Sequence, residues 1–233
     1  MTVNSFKEEL AKLGVTVTDV QLDQLNKYYE MLVEYNKVMN LTGITEKNEV
    51  YLKHFYDSLT IVKAIDLTST DTLCDMGTGA GFPGLVIKIV YPKIKVTLID
   101  SLNKRINFLD KVIEELQLTN IETIHDRMEE YGIKNREKFD VVTARAVAQT
   151  NVLLEYAIPT LKTGGYFIPL KGNMNNENDY TNACNLLNTS LEKIYEFELP
   201  EEHSKRTILK FKKVDKTSSK YPRKNSDIKK NPL

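Results

Sequence analysis

Apolar residues in the first part of the chain recur at three- and four-residue intervals. Phe6, Leu10 and Leu13 accompany Ser5 and Glu8, a pair that reads as a capping box, and Gly14 supplies a stop. Thr18 with Gln21 opens a second helix, which carries Leu22, Leu25, Tyr29, Leu32 and Val33 and runs out near Asn40. A third starts near Asn48 and carries Leu52, Phe55, Leu59, Val62 and Ile65. Asn36, His54, Asp57 and Ser58 fall at helix ends and polar edges, where they read as caps or surface groups.

The period then changes. Short β-branched runs at Thr72–Asp75, Lys95–Asp100, Ile121–His125, Phe139–Ala144 and Tyr166–Leu170 alternate with amphipathic stretches at Pro83–Val90, Lys104–Leu116, Met128–Tyr131 and Asn151–Leu161. Such alternation predicts βαβ units and a parallel sheet with helices on both faces. Leu191–Leu199 and Arg206–Lys213, joined by a polar loop, read as an antiparallel hairpin closing one edge. The expected architecture is α/β: a mostly parallel seven-stranded sheet over 67–213, preceded by a small helical region, 1–66. Residues 214–233 have few apolar positions, two prolines and many lysines, which predicts a disordered basic tail.

Composition narrows the class. With 233 residues, 41% hydrophobic and 27% charged, the chain can bury a sizeable core without disulfides or metals. The longest stretch without a charge is 12 residues, too short to span a bilayer as a helix, and the start lacks a signal-peptide layout. Cys74 and Cys184 lie far apart and the three histidines are scattered, so neither a disulfide framework nor zinc-ligand spacing is present. These features predict a cytoplasmic, metal-free monomer with no membrane partner. The net charge of zero conceals an asymmetry: 11 Lys+Arg against two acids from Lys205 onward, and net −9 over the rest. A basic end suits a polyanion partner, and equally a solvated tail.

Chemistry concentrates in Cys74-Asp75-Met76-Gly77-Thr78-Gly79-Ala80-Gly81-Phe82-Pro83-Gly84, where four of the ten glycines sit within eight residues, after a strand and before a helix. Glycine lets a ligand approach the backbone, and free N–H groups at the helix start would favour an electron-rich ligand group. Gly79 to Gly84 matches G-x-G-x-x-G, with Asp100 about 20 residues on, so a nicotinamide-dependent oxidoreductase is one reading. Asp75 weighs against it, because a pyrophosphate is unwelcome beside a carboxylate. The register D-x-G-x-G-x-G, with an acid ending the second strand, looks instead like the S-adenosylmethionine (AdoMet) site of Rossmann-like class I methyltransferases. Arg145 interrupts the apolar run from Val141 to Ala148, and such a charge must meet a carboxylate, a phosphate or a ligand.

The resemblance then tightens. Tyr35-Asn36-Lys37-Val38-Met39-Asn40-Leu41-Thr42, His54 with Asp57-Ser58, the glycine segment through Gly-Phe-Pro-Gly, Asp100-Ser101-Leu102-Asn103-Lys104-Arg105, Ala144-Arg145-Ala146 and Leu170-Lys171-Gly172 occur in this order. Together they resemble the ribosomal RNA small-subunit methyltransferase G family, also called glucose-inhibited division protein B, over nearly the whole chain to about Lys213. The resemblance implies AdoMet-dependent methylation of guanine N7 in 16S ribosomal RNA, with that RNA or the small subunit as partner. It implies cofactor contacts at Gly77, Gly79, Phe82, Asp100, Met128, Glu129 and Arg145. Because N7 carries a lone pair and no proton, direct in-line transfer needs no general base, and Arg145 and Lys171 are the residues expected to align the base through O6 or adjacent phosphates. Lys104, Arg105, Lys171 and Arg206, with the tail, are expected to form a positive rim for RNA. Ala144-Arg145-Ala146-Val147 lacks the Asn/Asp-Pro-Pro-Tyr pattern of amino-group methylation, which suits a ring nitrogen. The fold and AdoMet loop do not name the acceptor, so a small-molecule or protein methyltransferase stays open here.

Overall fold

A computed structural model describes residues 1–174 and 179–233. Helix α1 (Val3–Lys12) starts earlier than Ser5: Thr2 is its cap, its hydroxyl accepting from Ser5 N, and Gly14 follows its end at φ +74°. Helix α2 (Asp19–Met39) has the expected reciprocal box, Thr18 accepting from Gln21 N while Gln21 accepts from Thr18 N. The third helical stretch is not one regular helix. It runs as α3 (Lys47–Val50), a π-helical segment (Tyr51–Tyr56), α4 (Asp57–Leu59) and a 3₁₀ turn (Thr60–Lys63). Wide turns of this kind recur at functional sites.

Strands β1 (Thr72–Met76), β2 (Lys95–Asp100), β3 (Ile121–His125), β4 (Phe139–Arg145) and β5 (Leu161–Lys171) alternate with α5 (Gly84–Val90), α6 (Asn103–Glu115), α7 (Met128–Lys134) and α8 (Thr150–Ala157). Helix α9 (Thr181–Leu187), absent from the sequence reading, leads into β6 (Thr189–Glu198) and β7 (Lys205–Lys213), and α10 (Asn225–Lys230) follows. Sheet order is β3-β2-β1-β4-β5-β7-β6, with only β7 antiparallel to its neighbours β5 and β6. The order reverses between β1 and β4, paired in parallel from Leu73↔Val141 to Asp75↔Thr143, so the ligand crevice of an open sheet lies beyond their carboxyl ends.

The N-terminal helices share one core with α5 and α6 on one face of the sheet. Gln21 Nε2 donates to Ile89 O and Val90 O, and Gln24 Nε2 to Leu116 O, so α2 satisfies carbonyls left open at the ends of α5 and α6. The buried ring of Tyr28 stacks on Phe55 and lies 5.5 Å from Phe82. A second core on the other face joins α7, α8 and α9 to Tyr221 and Ile228 of the C-terminal segment.

The expectation of a disordered tail is therefore corrected. Ile228 is fully buried and Tyr221 nearly so, and Arg223 pairs with the fully buried Glu155 of α8. Two apolar anchors and one neutralised charge help to dock a segment that composition alone marks as unfolded. No helix among the described residues is long and apolar enough to cross a membrane, and none of their His, Cys, Asp and Glu side chains group to hold a metal ion.

Candidate active site: two cavities that meet at Ala146

The glycine segment leaves β1 and turns back into α5 with Gly77, Gly79 and Gly81 at φ +72°, +62° and +106°. Asp75, fully buried, holds the turn from beneath: its Oδ2 accepts from Thr78 Oγ1 at 2.7 Å and Gly84 N at 2.8 Å, while Oδ1 has no hydrogen-bond partner among the described residues. Burial raises the Asp75 carboxyl to about pH 6, opposed by those two bonds. The sequence pattern takes Asp75 as the acid that opens the AdoMet register; the structure places it under the turn, bonded to Thr78 and Gly84.

At the helix start Gly84 N donates to Asp75 Oδ2 and Leu85 N to Gly81 O, which corrects the expectation that free N–H groups there serve an electron-rich ligand, and most N–H groups of the loop are likewise engaged. Gly77 N and Thr78 N donate to Ile99 O, Gly79 N to Asp100 Oδ2, and Gly81 N and Phe82 N to Thr78 O. A loop so spent internally does not cradle a pyrophosphate.

Beside it lies a cavity of about 630 Å³, within the size range of small-molecule sites. Gly77, Asp100, Arg105, Met128, Glu129 and Val147 are among its walls. A Cβ at Gly77 would stand 2.8 Å from Val147 Cγ2, so a side chain there would force Val147 to shift where the loops after β1 and β4 meet. Asp100 is 3% exposed and accepts from Gly79 N, Leu102 N and Arg105 Nη1. Those bonds fix the carboxylate and leave part of its acceptor capacity.

A second cavity, of about 380 Å³, opens between the N-terminal helices and the ends of β4, β5 and β7. Arg145, Lys171 and Arg206 line it with Lys53, His54 and Asp57. Asp57, 5% exposed, binds both arginines: Oδ2 accepts from Arg145 Nη1 and Oδ1 from Arg206 Nε, each at 3.0 Å. Arg145 also donates to Lys53 O at 3.1 Å, and its guanidinium lies 5.2 Å from the centre of the Phe82 ring. Asp57 is thus the carboxylate that Arg145 requires, and the surface or cap reading of Asp57 and His54 is corrected. The π-helical segment turns these residues toward β4, which helical periodicity did not foretell. Lys171 Nζ reaches Ala148 O at 2.7 Å.

His54 stacks on Phe82 with centroids 4.4 Å apart, its Nδ1 lying 3.2 Å from Arg145 Nη2 and its Nε2 2.8 Å from Thr42 Oγ1. Burial first, then Arg145, lowers its pKa from 6.5 to about 3, so the ring is neutral at working pH. Between those values the folded state binds fewer protons than the unfolded one, so the contribution of His54 to stability is complete above pH 6.5 and is lost as pH falls toward 3. Asp75 acts oppositely, its burden lifting as pH falls below 6, so the histidine is isolated by difference. Wild type minus His54→Gln stability should fall on acidification from pH 6.5 with a slope approaching ~1.4 kcal/mol per unit, measured by urea melts. A pH-independent difference would refute the buried neutral ring.

The sequence-predicted residues therefore divide. Gly77, Asp100, Arg105, Met128 and Glu129 belong to the first cavity; Arg145, Lys171 and Arg206 belong to the second. Arg105 points into the first cavity at Asp100 rather than joining a common RNA rim, and Lys104 stands apart, donating to Met39 O. Gly79 holds Asp100 through its N–H, and Phe82 is 6% exposed behind His54 and Arg145. Ala146, at φ +55° directly after β4, lines both cavities.

Over residues 21–207 the sequence matches the family described as rRNA small subunit methyltransferase G. The ribosomal RNA small subunit methyltransferase G of Bacillus subtilis is 47% identical over 100% of this chain and 99% of its own. The protein of that name from Exiguobacterium sibiricum is 49% identical over 100% of both. Among solved structures, a SAM dependent methyltransferase from Aquifex aeolicus is similar with a TM-score of 0.54 at 17% identity, over 71% of this chain and 93% of that one, a likeness of fold.

Proposed function

Since the chain belongs to the rRNA small subunit methyltransferase G family, we propose that it transfers the methyl group of AdoMet to N7 of a guanine in 16S ribosomal RNA. The observation that carries the reading is the meeting of an acid-bearing cavity and a cation-lined cavity at Ala146. The first cavity suits the cofactor. AdoMet has no phosphate to demand the loop's N–H groups, its sulfonium and ammonium favour neighbouring carboxylates, and a ribose can bond the acceptor capacity left on Asp100. A dinucleotide suits it less, since the loop donors are occupied and Asp75 lies buried below.

AdoMet, when bound, supplies an electrophilic methyl group. The protein's task is to orient the acceptor. Asp57 fixes the forks of Arg145 and Arg206 in the second cavity, where guanidinium or ammonium donors can hold guanine O6 or a flanking phosphate. The neutral His54, backed by Phe82, offers a flat surface to a base. N7 needs no deprotonation, so alignment and exclusion of water carry the rate.

The test is transfer of labelled methyl from AdoMet into ribosomal RNA from cells lacking the gene, as naked RNA and as small subunits, mapped by N7-directed chain cleavage. Label at a single guanine N7 is expected. Label elsewhere, or none despite AdoMet binding, would overturn the assignment of the acceptor.

A further inference from the structure

The C-terminal segment borders the first cavity, not the second. Asn225, Lys229 and Pro232 line it beside Met128 and Tyr156. The segment is also tied down more firmly than a loose basic arm requires. Glu155 accepts from Arg223 N at 2.9 Å, Nε at 2.8 Å and Nη2 at 2.6 Å. A fully buried carboxylate left without these donors would be costly, so α8 depends on the segment as much as the segment on α8. From the other side, Arg136 donates to Thr217 O at 2.6 Å and Tyr221 O at 2.5 Å. Tyr156 Oη donates to Asn225 Oδ1 at 3.0 Å, and Asn151 Nδ2 reaches Leu233 O at 3.1 Å. With its oxygen held by Tyr156, what Asn225 has to offer a ligand is the donor end of its amide.

We propose that this segment is a working wall of the cofactor site: Asn225 and Lys229 donate hydrogen bonds to the adenosyl half of AdoMet, and the Arg223–Glu155 pair positions them. The proposal rests on the cofactor reading above. Ring nitrogens of adenine and ribose oxygens are acceptors, and Asn225 and Lys229 bring donors to a cavity whose Asp100 and Glu129 bring acceptors. Of the segment's cations, Lys229 then serves the nucleoside and Arg223 the docking, rather than an RNA backbone.

Full-length wild type and the variants Asn225→Ala, Lys229→Ala and Arg223→Ala would be titrated with AdoMet by calorimetry, and in parallel with 16S RNA by filter binding at low and moderate salt. Asn225→Ala and Lys229→Ala should each weaken AdoMet about fivefold, the effect of one lost hydrogen bond. Arg223→Ala should weaken it at least about tenfold, since both donors lose their support. RNA affinity and its salt slope should not move. Arg223→Ala also strips a buried carboxylate of its donors, so the two single-donor variants decide the matter. Amide exchange should also show residues 217–233 gaining protection in wild type when AdoMet is added. Unchanged AdoMet affinity in both donor variants, or a reduced RNA salt slope in its place, would overturn the proposal. Wild type that bound no AdoMet would instead overturn the cofactor reading itself.

Discussion

Exchange of Arg145 for lysine is expected to lower kcat about 100-fold, the cost of misplacing an aligned reactant by about an ångström, while AdoMet affinity stays within about twofold. The charge survives the exchange but the fork does not. Arg145 simultaneously reaches Asp57 Oδ2, Lys53 O and His54 Nδ1, while its plane lies over Phe82; a single ammonium cannot reproduce that set of directions. Asp57 keeps Arg206, so no bare carboxylate is left and the fold should hold. Single-turnover methyl transfer and calorimetric AdoMet binding, measured on the same preparation, separate the two effects. A loss of under about threefold would make Arg145 a structural counter-ion only, and a comparable loss of AdoMet affinity would return it to the cofactor side.

The second large effect is expected at Gly81. Its φ of +106° is poor for any residue with a side chain, and a Cβ there would stand 2.6 Å from Tyr28 Oη and 3.0 Å from both Leu109 Cδ2 and Leu85 Cβ. Tyr28 cannot retreat easily, because it is wholly buried, bonds Ala80 O and packs against Phe55 and Phe82. Gly81→Ala should cost about 2–4 kcal/mol of stability, combining left-handed strain with overpacking, and weaken AdoMet by at least about tenfold as the loop shifts. Gly79→Ala is the internal control. At φ +62° with open space beyond, it should cost only the strain, about 1–2 kcal/mol. Equal destabilisation of the two in thermal melts would refute the steric account.

The strands of the sheet were legible because each is a short β-branched run bounded by polar residues, and β2 and β3 have the bounds read from the sequence. The turn at Gly77–Gly84 was legible because positive φ leaves its mark in composition. Local signals have a short range, and the misses lie beyond it. Leu161, read as the end of a helix, begins β5, because pairing with Phe139 of β4 decides its state. Asp57 sits 88 residues from Arg145 and 149 from Arg206, and no period or cap announces such a meeting. Arg145 did announce that it needed a partner, but not which one. The C-terminal segment misled because composition averages over a stretch, whereas docking turns on particular residues, among them Tyr221, Arg223 and Ile228.

The shared carboxylate of Asp57 also has a bearing on how the chain matures. One of its arginines arrives with β4, but the other arrives only with β7, the strand that runs against the rest. A growing polypeptide that has already formed β1 to β4 and closed the glycine turn has only part of either cavity, because Val152, Tyr156, Asn225 and Lys229 of the first and Lys171 and Arg206 of the second lie further along the chain. The second is finished when the antiparallel strand slots between β5 and β6 and brings Arg206 to Asp57. Both cavities thus wait on late parts of the chain, the second on β7 and the first on the segment that follows it, so neither is complete while either part is missing.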